Sequence, residues 1–246
     1  MTNFPNPRPP TTGRSSGRHL RLVEGRKDGL RSAGSHRARR ALNVAVALIG
    51  ILVTLPLWVL IALAIRLTSR GPVFYTQVRV GVDQRGTGGQ ANDPRRRQDL
   101  GGRPFSIIKF RTMTVDAESS TGAVWAQRGD ARVTGVGRLL RQYRLDELPQ
   151  LINVLRGEMN VVGPRPERPT IFADLRDQIP GYAVRQRTHP GITGHAQIHL
   201  EYDSSIEDVR RKVAFDLEYI NRASLWEDLK IMAGTLPVML FRRGSR

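Results

Sequence analysis

The chain has 246 residues, of which 39 are basic and 22 acidic, so its formal charge at pH 7 is +17. Such an excess predicts an anionic partner, and composition alone leaves nucleic acid, an acidic membrane surface and a phosphate-rich substrate open. The absence of cysteine excludes a disulfide framework, a thiolate nucleophile and a cysteine-ligated zinc site.

The first 36 residues are rich in Pro, Arg, Ser, Gly and Thr and show hardly any apolar periodicity. This composition predicts a disordered basic tail over residues 1–36. A secretory signal is the alternative interpretation. It is disfavoured because the next apolar run starts late and lacks a small-residue cleavage site.

The run from Ala41 to Ile65 carries no charge, and its only plainly polar side chains are Asn43 and Thr54. As a straight helix it would be roughly 37 Å long at about 1.5 Å per residue, which is sufficient for a bilayer core. A soluble core helix of this length without a polar face would be exceptional. The run is therefore predicted to lie in lipid.

The topology of this membrane helix has two interpretations. Pro56 falls in its middle and favours a kink, and basic residues flank both of its ends. A simple span should show asymmetric flanking charge, whereas a helix bent back on itself keeps both ends in the cytoplasm. Nothing after Ile65 is typical of another span, which favours a re-entrant helix over residues 37–70 and one cytoplasmic domain over residues 71–246.

The remaining chain predicts an α/β fold that is mostly helical. Residues 82–103 are rich in Gly and Arg and predict a mobile loop. Residues 104–113 predict a strand, and residues 135–155 predict two helices broken just before Pro149. A further helix is predicted over residues 207–220, and the apolar, amphipathic segment 224–241 is typical of a helix at a membrane interface.

Adjacent carboxylates, Asp146 and Glu147, are the first candidates for chemistry. A proline is tolerated in a helix only near its first turn, so Pro149 places both carboxylates at a helix N-terminus. The helix-end potential and the flanking Arg141 and Arg144 would keep both ionised. An ionised Asp can attack phosphorus, and its neighbour can hold a divalent cation. Helix capping on a solvated face is the alternative.

Three basic residues are candidates for binding phosphate. Prolines on both sides of Arg165 stiffen the backbone, so that the guanidinium can meet a phosphate in bidentate fashion. Lys109 and Arg111 alternate along the predicted strand and are expected to share one face. The alternatives are a rigid turn with a solvent-facing Arg and ordinary surface charge.

Two other classes of protein are disfavoured. His195 and His199 are four residues apart, but the Gly-Ile-Thr-Gly run beside them is not typical of a helix, so a zinc hydrolase is not expected. A nucleic-acid-binding protein would account for the charge. It would not account for the uncharged segment over residues 41–65.

Taken together, five segments resemble the bacterial sugar transferases, the monotopic phosphoglycosyl transferases that attach the first sugar phosphate to polyprenyl phosphate. The resemblance runs from about Arg39 to Phe241. The segments that carry it are KFRTM (109–113), DARVTGVGRLLR (130–141), LDELPQLINVLRGEMNVVGPRPE (145–167), HPGITGHAQ (189–197) and SLWEDLKIM (224–232).

The resemblance implies a role for each candidate. Asp146 would be the covalent nucleophile, Glu147 the Mg²⁺ ligand, and Lys109, Arg141 and Arg165 the contacts of the substrate phosphates. It also implies a re-entrant helix broken at a proline, which Pro56 matches.

This sequence departs from the family pattern beside that proline and near the end of the catalytic part. Leu55 stands where a Ser often precedes the proline, which leaves Thr54 as the nearest hydroxyl to satisfy the broken backbone. Residues 198–203 replace a segment that contains Asn-Gly-Arg in many members, so the preference for sugar or nucleotide is open.

The implied activity is transfer of a sugar 1-phosphate from a UDP-sugar to polyprenyl (undecaprenyl) phosphate through an aspartyl-phosphosugar intermediate, with release of UMP. This would be the initiating step of exopolysaccharide, capsule or glycan assembly. The implied cofactor is Mg²⁺, and the implied location is the inner membrane with a cytoplasmic catalytic domain. No nucleic acid is expected as a partner, and a homo-oligomer is left open.

Overall fold

The computed structural model describes residues 33–83, 101–115, 117, 130–200 and 205–240. Over these ranges the chain is mostly helical, as the sequence predicts, with two small sheets. The predicted basic tail up to residue 32 and residues 84–100 of the predicted mobile loop lie outside the described residues. From Ala38 onward the chain groups into one compact unit.

Helix α1 spans Ala33–Thr68 and is long and apolar enough to cross a membrane. It begins inside the predicted tail, so the prediction of disorder is wrong for residues 33–36. The helix continues through Pro56, and the Thr54 hydroxyl donates to the Gly50 carbonyl at 2.6 Å. The carbonyl that loses its amide donor because of Pro56 is that of Leu52, four residues earlier, and not that of Gly50. The expectation that the Thr54 hydroxyl satisfies the broken backbone is therefore wrong.

One side of α1 packs against the rest of the chain and the other side is exposed. Its buried apolar side chains are Ala47, Trp58, Ile61 and Ile65. Its exposed apolar side chains include Leu48, Ile49, Leu52, Val53, Leu55, Val59, Leu60 and Leu63. An exposed apolar stripe of this length is what a lipid-facing helix requires.

Two strands form an antiparallel hairpin-like sheet beside α1. Strand β1 (Phe74–Val80) pairs with β2 (Pro104–Phe110), with Phe74 opposite Phe110 and Val80 opposite Pro104. The sequence predicts β2 but not β1. The Trp58 ring meets the Phe110 ring edge-on at 5.6 Å between centroids, which joins the sheet to α1.

Helices α2 (Gly135–Gln142) and α3 (Gln150–Leu155) confirm the two helices predicted before and after Pro149. Between them lies a 3₁₀ turn, Leu145–Glu147. The apolar stripe on α3 is shared between two core clusters, because Leu151 packs in one and Ile152 in the other. The 3₁₀ turn that carries the two carboxylates is thus followed directly by a helix that packs in the core.

A short parallel sheet and further helices complete the described fold. They are β3 (Asn160–Val162) paired with β4 (Gly191–Thr193), α4 (Pro169–Gln178), a 3₁₀ turn (Tyr182–Arg187), α5 (His195–His199), α6 (Ile206–Arg222) and α7 (Leu225–Leu240). Helix α6 confirms the helix predicted over 207–220. Helix α7 lies in the predicted amphipathic segment and exposes Leu225, Trp226, Leu229 and Leu236.

The expectation that no helix follows the Gly-Ile-Thr-Gly run is wrong, because His195 and His199 lie on the single turn of α5. Their rings are 4.6 Å apart between centroids. Among the described residues, however, no group of three or more metal-ligating side chains is present. The two histidines therefore gain no third ligand from this part of the structure.

Candidate active site

The turn that carries Asp146 and Glu147 begins with a strained residue. Arg144 has φ 56° and ψ 21°, in the left-handed region, and it is the residue that precedes the 3₁₀ turn. Non-glycine residues in this region are uncommon and cluster at functional sites. Pro149 caps α3 and does not lie inside it. The two carboxylates consequently lie just ahead of the N-terminus of α3, in the 3₁₀ turn that precedes it.

Glu147 is bound by two cations from different parts of the chain. Its Oε1 accepts from Lys109 Nζ at 2.8 Å and from Arg165 Nη2 at 2.7 Å, and Oε2 is 3.5 Å from Arg165 Nη1. Burial alone would raise the pKa of Glu147, but the charges of Arg165 and Lys109 outweigh it and hold that pKa well below its usual range. The structure thus brings together three of the predicted site residues.

Asp146 is buried beside this cluster but is bound less closely. Its Oδ2 is 4.0 Å from Lys109 Nζ, beyond hydrogen-bond distance. Burial raises the pKa of Asp146, and the charge of Glu147 adds to the rise although Lys109 opposes it. The expectation is that helix-end potential and arginines keep both carboxylates ionised; the pKa of Glu147 moves in that direction, and the pKa of Asp146 moves against it. Two neighbouring carboxyls with pKa values moved in opposite directions are typical of two separate chemical roles.

Arg141 lies close enough to the dyad to affect it. Its Nε donates to the Thr112 hydroxyl at 2.9 Å, and its charge lowers the pKa of Asp146. No sequence pattern singles out Thr112, which follows β2 and fixes the direction of the Arg141 guanidinium. This contact is compatible with the phosphate-binding role that the resemblance implies for Arg141.

Arg111 takes a different position from the one predicted. Its guanidinium donates to the Arg70 carbonyl, to the Ser69 carbonyl at 3.0 Å and to the Ser69 hydroxyl at 2.8 Å. Strand β2 ends at Phe110, and the two side chains predicted to share a face have different partners: Lys109 donates to Glu147, whereas Arg111 donates to Ser69 and Arg70. Arg111 joins the end of α1 to the end of β2, and these contacts give no support to a phosphate-binding role.

Asn153 is a buried polar residue behind the site that no sequence-based prediction included. Its Oδ1 accepts from the Ile108 amide at 3.1 Å, and its Nδ2 donates to the Ser106 carbonyl at 2.8 Å. The fully buried side chain of α3 therefore continues the hydrogen bonding of β2 at its free edge, next to Lys109. The available signal was a polar residue in the middle of an apolar helical stripe, because buried polar groups in cores are there to form hydrogen bonds.

Comparison with known proteins supplies the family. The family described as "Bacterial sugar transferase" matches residues 34–242. The UDP-glucose:undecaprenyl-phosphate glucose-1-phosphate transferase of Caulobacter vibrioides is 42% identical over 204 residues, which cover 82% of this chain and 69% of that protein. The exopolysaccharide production protein ExoY of Rhizobium meliloti is 35% identical over 222 residues, covering 85% of this chain and 88% of that protein.

Other relatives are much longer than the matched region. The UDP-glucose:undecaprenyl-phosphate glucose-1-phosphate transferase of Escherichia coli strain K12 is 40% identical over 196 residues, but these are only 38% of its length. The Aeromonas hydrophila relative, named as a UDP-N-acetylgalactosamine-undecaprenyl-phosphate N-acetylgalactosaminephosphotransferase, is matched over 45% of its length. The family match over residues 34–242 includes the dyad, its cations and nearly all of the apolar helix. The chain belongs to the bacterial sugar transferase family.

Proposed function

We propose that the protein transfers a sugar 1-phosphate from a UDP-sugar to undecaprenyl phosphate, as the initiating step of exopolysaccharide, capsule or glycan assembly. The observation that carries this proposal is the asymmetry of the dyad: Glu147 accepts hydrogen bonds from Lys109 and Arg165 at 2.8 and 2.7 Å, whereas Asp146 beside it has only a longer ion pair with Lys109, at 4.0 Å. The names of the relatives support the substrate classes, and because they specify both glucose and N-acetylgalactosamine, the sugar stays open.

In the proposed mechanism, an Asp146 carboxylate oxygen attacks the phosphorus that carries the sugar. The bond from that phosphorus to the oxygen bridging the two phosphates breaks, and UMP leaves. An oxygen of undecaprenyl phosphate then attacks the same phosphorus and displaces Asp146 as a carboxylate. The burial of Asp146 supports this role, because a carboxylate that is poorly solvated and has a raised pKa is a stronger nucleophile than one in water.

Lys109 and Arg165 are proposed to neutralise the phosphates during both steps. Phosphoryl transfer depends mainly on positioning and on stabilisation of charge at the oxygens around phosphorus. Both side chains reach Glu147 at hydrogen-bond distance and are less buried than it is, which allows them to turn toward an incoming diphosphate. Arg141, which Thr112 holds in place through a hydrogen bond, would contact the same phosphates.

The donor groups of this site fit magnesium. Mg²⁺ in phosphoryl-transfer sites is commonly held by one or two carboxylates together with substrate phosphates and water. Glu147, with its pKa held low, keeps the ionised oxygen that such an ion prefers. When bound, the ion would neutralise charge on the diphosphate. Without a bound ion, Lys109 and Arg165 balance the charge of Glu147.

We also propose that α1 is re-entrant in the inner membrane, with the catalytic domain in the cytoplasm. Near its start, Arg39 binds Asp228 of α7, and just after its end, Ser69 binds Arg111. A helix that spans the bilayer separates its ends by about 30 Å of hydrocarbon, so only one end could contact a domain on one side. Contacts at both ends support the re-entrant form, and the exposed apolar side chains of α7, among them Trp226, support an interfacial helix.

The proposed function is tested with purified protein, undecaprenyl phosphate, Mg²⁺ and a panel of UDP-sugars, by following UMP release. We expect release with at least one UDP-sugar, dependent on the lipid for more than one turnover. D146N should abolish it, while D174N, the same change at an exposed position of α4, should leave it intact. Absence of release from every UDP-sugar, or full turnover by D146N, would contradict the proposal.

A further inference from the structure

The loop Pro164–Glu167, which carries Arg165 to Glu147, is held at every carbonyl. Its prolines lack amide donors, so its backbone is fixed mainly through its acceptors. The pairs are Pro164 O with Gly191 N at 2.9 Å, Arg165 O with Arg185 Nη2 at 3.1 Å, Pro166 O with Arg79 Nη1 at 3.1 Å, and Glu167 O with Val80 N at 2.9 Å. Two of the four donors are arginine side chains.

Arg185 is the more constrained of these two arginines. Its Nε donates to Asp216 Oδ2 at 2.7 Å, and its Nη1 donates to the Tyr182 hydroxyl at 2.8 Å. The side chains of Arg185 and Asp216 are 5% and 3% exposed. The guanidinium thus connects α6, the 3₁₀ turn Tyr182–Arg187 and the loop behind Arg165, and each of its nitrogens has a partner.

A buried ion pair of this kind is weak evidence for stability. Desolvation of two charges offsets most of their attraction, and apolar replacements of similar volume are often equally stable. What a planar guanidinium supplies and an apolar group cannot is a set of five N–H donors, on three nitrogens, in a fixed geometry. Here one of the three is directed at the carbonyl of the residue whose side chain binds Glu147.

We propose that Arg185 is a positioning residue for the transfer reaction, which holds the backbone of Arg165 so that its guanidinium meets the substrate phosphates at the dyad. This inference rests on the proposed function. Asp216 and Tyr182 fix the direction of Arg185, and Arg185 fixes the peptide that follows Arg165. The position of Arg165 is thereby determined by residues that the substrate does not contact.

The chain contains a matched control, a second buried set of Arg, Asp and Tyr. Arg39 Nε donates to Asp228 Oδ2 at 2.7 Å, and Arg39 Nη2 donates to the Tyr219 hydroxyl at 2.7 Å. This set joins α1, α6 and α7. Among the residues that the structure describes, its hydrogen bonds reach the Val162 carbonyl on β3, through the Tyr219 hydroxyl, and not the loop Pro164–Glu167. Equal substitutions in the two sets therefore separate positioning of Arg165 from loss of a buried ion pair.

The test is a double-mutant cycle between R185K and R165A, with R39K in place of R185K as the control. Lysine keeps the charge but cannot reach three acceptors in different directions. Single-turnover UMP release with enzyme in excess gives kcat/KM even for slow variants, and the Kd of the UDP-sugar is measured in parallel. Y182F and Y219F are a milder matched pair, to be used in the same way if R185K or R39K does not fold.

With Arg165 present, R185K should lower kcat/KM by about 10- to 100-fold, the scale of a misplaced catalytic contact, and weaken UDP-sugar binding. In the R165A background the same change should have less than about a twofold effect, because there is no side chain left to position. R39K should change kcat/KM by the same factor whether Arg165 or Ala is present at position 165.

Equal factors for R185K in both backgrounds would overturn the inference while leaving the proposed function standing. Wild-type protein that neither binds nor transfers any UDP-sugar would overturn both.

Discussion

Lys109 Nζ lies 2.8 Å from Glu147 Oε1 and 4.0 Å from Asp146 Oδ2, so one cation distinguishes two adjacent carboxylates. Arg165 strengthens the difference because it binds Glu147 as well. These cations lower the pKa of Glu147, whereas burial raises the pKa of Asp146. The two residues are therefore suited to different chemical roles. The sequence shows the pair as neighbours; only the fold shows which of them the cations bind.

The first prediction is that D146N and E147Q change stability in opposite directions. The raised pKa of Asp146 means that its ionised form opposes folding above its ordinary pKa, so D146N should keep or raise Tm at pH 7. The lowered pKa of Glu147 means that it stabilises the fold above its ordinary pKa, and this contribution is lost as pH falls through the folded value. E147Q should therefore lose about 3 kcal/mol, the scale of a broken buried pair.

Thermal unfolding in detergent at pH 7 measures both changes, with D174N as the control for an exposed carboxylate. A lower Tm for D146N than for E147Q would contradict the assignment of the cations to Glu147.

The second prediction concerns the acid limb of the first half-reaction. Attack requires ionised Asp146, so UMP release in the absence of lipid should fall as pH decreases through a midpoint above the ordinary Asp value of about 3.9. Omitting the lipid removes the titration of its phosphate from the profile. The pH dependence of single-turnover kcat/KM measures the midpoint, and a midpoint at or below about 3.9 would show that burial does not govern this carboxyl.

A third prediction separates Arg111 from Arg165. R111Q removes the donors to Ser69 and Arg70, so it should lower stability by about 1–3 kcal/mol and leave the KM for the UDP-sugar within about twofold. R165Q should instead raise that KM by tenfold or more, since charge-assisted contacts to phosphate are lost, on the order of 1.5–3 kcal/mol. Steady-state kinetics and unfolding of the two variants measure the difference. If R111Q raised the KM as much as R165Q at unchanged Tm, the phosphate-binding role predicted from the sequence would be restored.

The fourth prediction is that both ends of α1 face the cytoplasm. The chain has no cysteine, so H36C and R70C each introduce a single label site, and both positions are exposed. A membrane-impermeant maleimide should label both in inside-out vesicles and neither in right-side-out vesicles. Labelling of the two positions from opposite sides would show that α1 spans the membrane.

Local chemistry made part of this structure predictable from the sequence. The uncharged run 41–65 predicted the long apolar helix, and Pro149 predicted the break between α2 and α3. Arg165 between its prolines and Lys109 on its strand were identified as candidates, and the structure places both at Glu147. Such features depend on residues near in sequence, where periodicity and proline geometry decide the outcome.

What could not be predicted depends on contacts between distant segments. Arg111 was given the face of Lys109 because the strand was expected to continue, yet the strand ends one residue before it. Asn153 and Arg185 act through carbonyls and amides of other segments, and no local pattern reveals such partners. The opposite pKa shifts of the dyad likewise depend on burial and on cations brought from elsewhere in the chain.

The central claim is that Asp146 becomes covalently attached to the phosphosugar. Wild-type protein, D146N and D174N are incubated with a turned-over UDP-sugar and Mg²⁺ but without lipid, quenched in acid, and analysed by intact mass and peptide mass spectrometry. The mechanism predicts a mass increase of one sugar phosphate on the Asp146 peptide of wild type and D174N, absent from D146N and lost when undecaprenyl phosphate is added. An enzyme that releases UMP with lipid present but never carries this adduct, or carries it on another residue, would contradict the claim.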